Sequence, residues 1–108
     1  DGNKLFNFSL NAVPNLVENL LKENKINLKK IDYVLLHQAS QIINENIMNK
    51  LQINNNKFLT NYKRFGNTVS STIPLLLYEN FKKLKNKKLL LCGFGVGLSA
   101  ASCLYDFK

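Results

Sequence analysis

Apolar residues recur at helical spacing near the start of the chain, separated by asparagines and charged residues. Between residues 9 and 24 they follow the pattern of an amphipathic helix, and Ser9 can act as its N-cap. Because Pro14 fits only a first turn, this helix either starts late or bends there. Residues 5–8 are predicted to form a short strand or an extended lead-in. The apolar face of the helix consists of Leu10, Val13, Val17, Leu20 and Leu21.

Compact apolar runs further along the chain predict β-strands. Residues 31–36 and 89–92 have the composition of strands buried on both faces of a sheet. A further strand is predicted at 98–107 and a short one at 58–60. Because these runs alternate with helical patterns, the fold class is predicted to be α/β, in a single domain over residues 1–108.

Two more helices are predicted between the strands. Ser40 is the expected N-cap of the first, while residues 63–67 are expected to form a loop with a turn at Gly66. The second helix follows that loop and carries Pro74 in its first turn. The apolar faces are Ile43, Ile47 and Leu51 in the first helix and Leu77, Phe81 and Leu84 in the second.

Composition narrows the class of protein. The chain has 108 residues, 45% of them hydrophobic, and a net charge of +8, which argues for one folded domain and against disorder. No apolar run approaches the roughly 18 residues of a membrane span, and no secretory signal is visible, so an intracellular protein is expected. Two cysteines and one histidine support neither a disulfide framework nor a zinc site. Since the chain begins with Asp1, a piece of a longer protein is expected.

Polar residues that follow predicted strands are the candidates for chemistry. His37 ends a buried strand, where α/β sheets bind ligands, although a core histidine satisfied by backbone groups fits as well. Asn67 precedes a helix N-terminus that favours negative charge, although Gly-Asn is also an ordinary turn. The glycine-rich residues 93–97 lack the third glycine of a dinucleotide motif, but they can point backbone amides at an oxyanion.

The remaining candidates have simpler interpretations. Cys92 lies inside an apolar strand, which favours an inert core residue over a nucleophile, and Cys103 offers no better setting. The lysines at 82–88 are interpreted as a solvated face. They lack the interleaved aromatic residues of a nucleic-acid platform, so no nucleic-acid partner is expected.

Three motifs occur together in one order along the chain. They are residues 31–40 (IDYVLLHQAS), 62–68 (YKRFGNT) followed by 71–74 (STIP), and 93–98 (GFGVGL). In this order and spacing the chain resembles the C-terminal part of β-ketoacyl-acyl-carrier-protein (ACP) synthase III, a condensing enzyme of the thiolase fold. The resemblance implies a mixed β-sheet with packed helices. It also implies that the chain is about the final third of such an enzyme.

The resemblance carries an expected reaction and expected partners. The family loads an acyl group from acyl-CoA onto a cysteine and condenses it with malonyl-ACP, with loss of carbon dioxide, in fatty acid biosynthesis. It needs no cofactor or metal besides these thioester substrates. A cytoplasmic homodimer with neither membrane nor nucleic-acid partners is therefore expected of the full-length enzyme. Because the family's nucleophilic cysteine lies in the N-terminal half, the isolated chain is expected to be inactive.

The family's functional positions map onto specific residues of this chain. His37 and Asn67 match the catalytic histidine and asparagine, which donate hydrogen bonds to the malonyl thioester oxygen. The backbone amide of Val96 matches the oxyanion-hole position. The resemblance further implies substrate contacts for Gln38, Ser40, Phe94 and Gly95.

Departures from the family pattern leave more than one function open. Ser40 replaces an asparagine that orients pantetheine, Ile42 replaces an arginine that contacts carrier protein, and residues 99–101 differ from the usual T-W-G. A relative from a side pathway, with another carrier or acyl donor, fits these changes. Related thiolase-fold enzymes, such as hydroxymethylglutaryl-CoA synthase or polyketide synthases, are a second possibility. A non-catalytic module that binds acyl-CoA or carrier protein is a third.

Overall fold

A computed structural model of the chain describes residues 2–95 and 98–107. One helix precedes the first β-strand, four helices follow it, and the described chain ends in two paired strands. In chain order they are α1 (Gly2–Glu23), β1 (Tyr33–Leu36), α2 (Gln41–Leu51), α3 (Tyr62–Phe65), α4 (Thr72–Glu79), α5 (Phe81–Leu84), β2 (Lys87–Gly95) and β3 (Ser99–Phe107). Short 3-10 turns at Leu28–Lys30, Asn55–Lys57 and Val69–Ser71 connect them.

The strands of the described residues form one mixed sheet in the order β1-β2-β3. β1 pairs with β2 in parallel, with Leu36 opposite Cys92. β2 pairs with β3 antiparallel, with Gly95 opposite Ser99. The predicted α/β class with a mixed sheet is therefore confirmed.

The strand predicted at 58–60 is reduced to a single bridge. Phe58 pairs in parallel with Val34 at the open edge of β1, and the Leu59 amide donates to the Val34 carbonyl at 3.2 Å. The pairing stops there because the next available amide, that of Asn61, donates to the side chain of Gln38 at 2.8 Å instead of to β1. A side chain thus replaces the strand ladder.

The first helix is longer than its sequence pattern indicates. α1 begins at Gly2, so the prediction of a strand or lead-in at 5–8 is wrong. Ser9 is fully buried inside the helix and does not cap it. The polar Ser9 stands one turn before the buried Val13, and it interrupts an apolar stripe that continues back to Leu5.

The remaining helices match their predictions in part. Ser40 is the N-cap of α2, and its hydroxyl accepts from the Ile43 amide at 3.3 Å. Pro74 lies in the first turn of α4, as expected. The single helix predicted to contain Pro74 and Leu84 is divided into α4 and α5 at Asn80, whose side chain donates to the Leu76 carbonyl at 2.8 Å. Residues 63–67 also hold most of the short helix α3 rather than only a loop.

Helices cover both faces of the sheet. On one face, α1 and α2 bury Val17 and Ile47 against Leu90 of β2. On the other face, α4 and α5 bury Leu76 and Leu84 against Leu89. Since neighbouring residues of a strand point to opposite faces, β2 contributes to both apolar clusters. Within the described residues, no helix has the length and apolar character that crossing a membrane requires.

The buried face of β2 supports a stability prediction. We expect Leu90→Ala to lower the free energy of unfolding by about 2–5 kcal/mol, because it removes a fully buried side chain and leaves a cavity. Urea unfolding followed by circular dichroism measures the change. Asn15→Ala, at an exposed position of α1, is the control and should change the value by less than about 0.5 kcal/mol. Equal effects of the two substitutions would contradict the described core.

Candidate active site

The candidate site is built where β1 and β2 end. These strands are parallel, so their carboxyl ends lie at the same edge of the sheet, the usual ligand-binding edge of α/β folds. The His37 amide donates to the Cys92 carbonyl at 2.8 Å and extends the parallel ladder by one residue beyond Leu36. The histidine ring is thereby placed beside residues 93–95 of β2.

The imidazole of His37 is held on two sides. Its Nδ1 lies 2.7 Å from the Thr72 hydroxyl oxygen, at the first residue of α4. Its ring packs edge-on against the Phe94 ring, with the two centroids 5.2 Å apart. Burial lowers the pKa of His37 below its usual value of 6.5, which favours the neutral imidazole. In the described part of the chain, Nε2 makes no hydrogen bond.

A glycine turn delivers Asn67 to the same site. Gly66 ends α3 with φ 64° and ψ −152°, a backbone conformation that is essentially restricted to glycine. In the exposed side chain of Asn67, Oδ1 accepts from the Val69 amide at 2.8 Å. This bond holds one end of the side-chain amide. Among the described residues nothing accepts from Nδ2, so this group remains available as a donor.

His37 and Asn67 line one cavity of about 590 Å³. Most of its wall is apolar or made of small residues, and the described lining residues include no acidic or basic side chain apart from the histidine. The half-buried His37 therefore has mostly apolar neighbours, and a hydrogen bond to developing charge is stronger in such surroundings than in bulk water. The lining residues are Leu5, His37, Ala39, Asn67, Val69, Ser70, Thr72, Ile73, Gly93, Phe94, Gly95, Ser99, Ala100 and Ala101.

The other residues assigned by sequence divide between the cavity and the scaffold. Phe94 and Gly95 line the cavity together with the two catalytic candidates. Ser40 does not line it, because its hydroxyl is turned to the α2 N-terminus as the helix cap. Gln38 does not line it either, and both polar atoms of its buried amide bond to backbone groups, so its expected substrate contact stays a prediction. Val96 lies outside the described residues.

Two residues that shape the site were not assigned by sequence. Thr72 occurs in the sequence analysis only as part of the motif at 71–74, and its contact with His37 spans 35 positions. Asn44 is fully buried in α2; its Nδ2 donates to the His37 carbonyl at 2.9 Å, while its Oδ1 accepts from the Ala39 and Ser40 amides. A polar asparagine within an apolar helical pattern is the one sequence signal that marks it.

The cysteines of the chain lie away from the cavity wall. Burial, with a smaller contribution from Cys103, raises the pKa of the Cys92 thiol to about 12, which makes it a poor nucleophile. Cys103 is a free and exposed thiol on β3. Within the described residues there is also no group of three or more His, Cys, Asp or Glu residues that is suited to holding a metal ion.

The residues that bear on the expected carrier-protein contact lie on α2 and α3. Ile42, which stands where the resemblance leads us to expect arginine, is 67% exposed at the start of α2. Arg64 pairs with Glu79 at 2.6 Å, while Lys63 beside it is exposed. Of the two basic residues Lys63 and Arg64, only Arg64 has an ion-pair partner among the described residues.

Comparison with known proteins identifies the family. Residues 21–107 match the model of the 3-oxoacyl-[acyl-carrier-protein (ACP)] synthase III C-terminal domain. The chain belongs to this family. Over 107 residues it is 38% identical to the β-ketoacyl-ACP synthase III of Prochlorococcus marinus strain MIT 9515, an alignment that covers 96% of this chain and 32% of that protein.

Solved structures place this synthase III C-terminal chain in the same fold. A 3-oxoacyl-ACP synthase III crystal structure superimposes with a TM-score of 0.94 at 36% identity, over 99% of this chain and 33% of that one. The 3-oxoacyl-ACP synthase of Burkholderia xenovorans LB400 gives a TM-score of 0.91 at 35% identity, over 99% and 32%. The chain thus spans about a third of the length of the relatives it matches. The expected resemblance and thiolase-type fold are confirmed.

The lowered pKa of His37 predicts a pH dependence. The folded chain holds this pKa below the 6.5 that is normal for the unfolded chain, so the unfolded state binds more protons between the two values. The free energy of unfolding should therefore decrease as the pH falls through about 6.5 and should level off below the folded-state pKa. NMR titration of the imidazole, the only one in the chain, gives the pKa directly.

His37→Gln serves as the matched control for this titration. The variant keeps a polar side chain but has no group that titrates in this range, so it should lose this part of the pH dependence. A measured pKa at or above 6.5 in the folded chain would show that burial does not favour the neutral imidazole.

Proposed function

We propose that this chain is the C-terminal catalytic portion of a β-ketoacyl-ACP synthase III type acyltransferase of fatty acid biosynthesis. The whole enzyme condenses an acyl group taken from acyl-CoA with malonyl-ACP and releases carbon dioxide. The observation that supports this proposal most strongly is that two neutral donors, His37 and Asn67, line one largely apolar cavity. Membership of the synthase III family supports the same reaction class.

In the proposed mechanism, the two donors stabilise an enolate. Decarboxylation breaks the bond between the malonyl carboxylate and the α-carbon, and the electron pair moves into an enolate with negative charge on the thioester oxygen. Nε2–H of His37 and Nδ2–H of Asn67 donate to that oxygen. The α-carbon then attacks the acyl thioester, and the cysteine thiolate leaves. Since the charge exists only once the bond is breaking, donors fixed in advance lower the barrier.

Thr72 selects the imidazole form that this mechanism requires. A neutral histidine carries one ring proton, and donation from Nε2 requires that Nδ1 be the acceptor. The Thr72 hydroxyl lies 2.7 Å from Nδ1 and is nearly fully buried, so its proton is proposed to point at the ring. The hydroxyl thereby fixes the proton at Nε2.

The acylated thiol is proposed to come from a part of the enzyme outside this sequence. Cys92 is buried with a raised pKa, and Cys103 does not line the cavity. The chain by itself is therefore expected not to turn over. The complete enzyme is proposed to be a cytoplasmic homodimer without a cofactor, in which the Val96 amide assists as an oxyanion donor.

One observation favours a more specific candidate, a synthase III relative of a side pathway. The exposed Ile42 offers an apolar side chain where the family resemblance implies a basic contact with carrier protein. Lys63 remains exposed beside the paired Arg64 and is the remaining basic candidate on α3. Such a surface suits a carrier or acyl donor other than the usual one. Titration with different carrier proteins would distinguish an enzyme of fatty acid biosynthesis from a relative of a side pathway.

Loss of either donor predicts a specific kinetic defect. In the full-length polypeptide that carries this chain, His37→Ala and Asn67→Ala should each lower decarboxylation of malonyl-ACP by about 10²–10³-fold. Acylation of the cysteine should be largely unaffected, because the donors face the malonyl thioester. Release of labelled carbon dioxide measures the first step, and mass spectrometry of the acyl-enzyme measures the second.

Asn24→Ala is the matched control, since the exposed side chain of this asparagine directly follows α1 and, among the described contacts, bonds only to the Leu20 carbonyl of that helix. It should decarboxylate at the unsubstituted rate. Undiminished carbon dioxide release in both donor variants would refute the assignment. An unsubstituted protein that binds acyl-CoA or carrier protein without any decarboxylation would instead be the non-catalytic module.

The role of Thr72 predicts a protonation state and a substitution pattern. In the ¹⁵N spectrum of the neutral imidazole, Nε2 should carry the proton and Nδ1 should not. Thr72→Val keeps the shape of the side chain without its hydroxyl, so it should lower decarboxylation by roughly 5- to 30-fold, the worth of one buried hydrogen bond. Thr72→Ser restores the hydroxyl and should stay near the unsubstituted rate. A proton found on Nδ1 in the neutral form would contradict the proposed donation.

A further inference from the structure

Gln38 is a fully buried polar side chain with every strong hydrogen-bonding atom directed at the backbone. Its Nε2 donates to the Leu36 carbonyl at 2.8 Å, next to its own position at the end of β1. Its Oε1 accepts from the Asn61 amide at 2.8 Å and from the Tyr62 amide at 3.2 Å. One side chain therefore joins the end of β1 to a segment 23 and 24 residues further along the chain.

The two amides that Gln38 binds belong to the start of α3. The first amides of a helix have no partner within the helix and normally take one from an N-cap side chain. Asn61 occupies the N-cap position, but its side chain accepts no capping bond, and its Nδ2 donates to Glu79 of α4 at 3.1 Å. Gln38 thus caps α3 from another part of the fold.

α3 is the element that carries Asn67 into the cavity. It is a single turn, and its last amide bond runs from Gly66 back to the Tyr62 carbonyl at 2.9 Å. Because the helix is so short, a shift of its first residues moves Gly66 and Asn67 with them. Its only other anchors among the described contacts lead to Glu79, which binds Asn61 and Arg64.

We infer that Gln38 is a positioning residue that sets the placement of Asn67 relative to His37. It directly follows His37 in the chain, and through Asn61 and Tyr62 it holds the turn that ends in Asn67. The two donors of the enolate site thus share one rigid link. This inference rests on the proposed function, because the placement matters only if both donors act on one oxygen.

Two substitutions test the link in the full-length polypeptide. Gln38→Met keeps the length of the side chain without its acceptor, so the Asn61 and Tyr62 amides lose their partner. We expect kcat for malonyl-ACP decarboxylation to fall by about 10- to 100-fold with little change in KM, because a donor misplaced by about 1 Å lowers the rate by about this factor. This kcat is expressed per acylatable site, that is, per enzyme molecule whose cysteine can be acylated. Amide hydrogen exchange should speed up at Asn61 and Tyr62.

Gln38→Glu provides the conservative rescue. A protonated glutamic acid reproduces all three bonds, since its hydroxyl donates to the Leu36 carbonyl and its carbonyl accepts from the Asn61 and Tyr62 amides. The ratio of its kcat to that of the unsubstituted enzyme should be near one at acidic pH and should decrease as the carboxyl ionises. Because a carboxylate at position 38 would raise the pKa of the neighbouring His37, NMR titration of His37 in both proteins separates the two effects.

Leu84→Ala separates positioning from general loss of stability. Leu84 is fully buried in the cluster behind the sheet and does not line the cavity, so this variant should unfold more easily yet keep its kcat per acylatable site. Unchanged kcat in Gln38→Met, or an equal loss of kcat in Leu84→Ala, would overturn the inference. An unsubstituted enzyme that fails to decarboxylate malonyl-ACP would instead refute the proposed function, and the inference with it.

Discussion

The parallel pairing of β1 with β2 is the constraint on which the rest of the site depends. It places Leu36 opposite Cys92, and the bond from the His37 amide to the Cys92 carbonyl carries the register one residue further. In a parallel pair both strands run towards the same edge, so the histidine and residues 93–95 arrive together. A slip of one residue would turn His37 to the other face of the sheet, away from Thr72 and the cavity.

Around the site, side-chain amides bond to backbone groups that strand or helix hydrogen bonds would otherwise satisfy. Asn44 holds the His37 carbonyl and two amides after it, Gln38 caps α3, and the Oδ1 of Asn67 closes its own turn. Each replaces a backbone partner at a point where a strand or helix stops. Because a buried amide without a partner is costly, these bonds specify the loop conformations strongly. The loops around the site are thereby ordered without regular secondary structure.

The chemistry proposed for the cavity follows from the absence of acidic and basic side chains, other than His37, among its described lining residues. In the proposed reaction, a lysine or arginine beside the thioester would bind the malonyl carboxylate and stabilise the ground state, whereas neutral donors would respond to charge that develops as the bond breaks. Burial lowers the pKa of His37 and so favours the neutral imidazole, and the Thr72 hydroxyl oxygen lies 2.7 Å from its Nδ1. The family relationship and the cavity geometry support the same kind of reaction from independent directions.

Local patterns along the chain predicted most of the helices and strands. The buried runs of β1 and β2, the Ser40 cap and Pro74 in the first turn of α4 all follow from short-range physics, in which neighbouring residues determine the backbone. The same reasoning was wrong at residues 5–8, because the polar Ser9 was interpreted as a helix cap although the helix continues through it. It was also wrong at 58–60, where the Asn61 amide bonds to Gln38 instead of to a strand. In both places the outcome depends on burial or on a partner distant in sequence.

The site divides in the same way. The sequence alone identified His37, Asn67 and Phe94 as candidates and showed their resemblance to a family. Each of them lies in a motif of residues that are adjacent in the chain. Only the tertiary structure shows that Thr72 contacts the His37 ring, that Asn44 bonds to the His37 carbonyl, and that Gln38 bonds to the amides at the start of α3. These contacts join residues from different elements. A hydrogen bond is decided by distance in space, which the order of residues along the chain does not state.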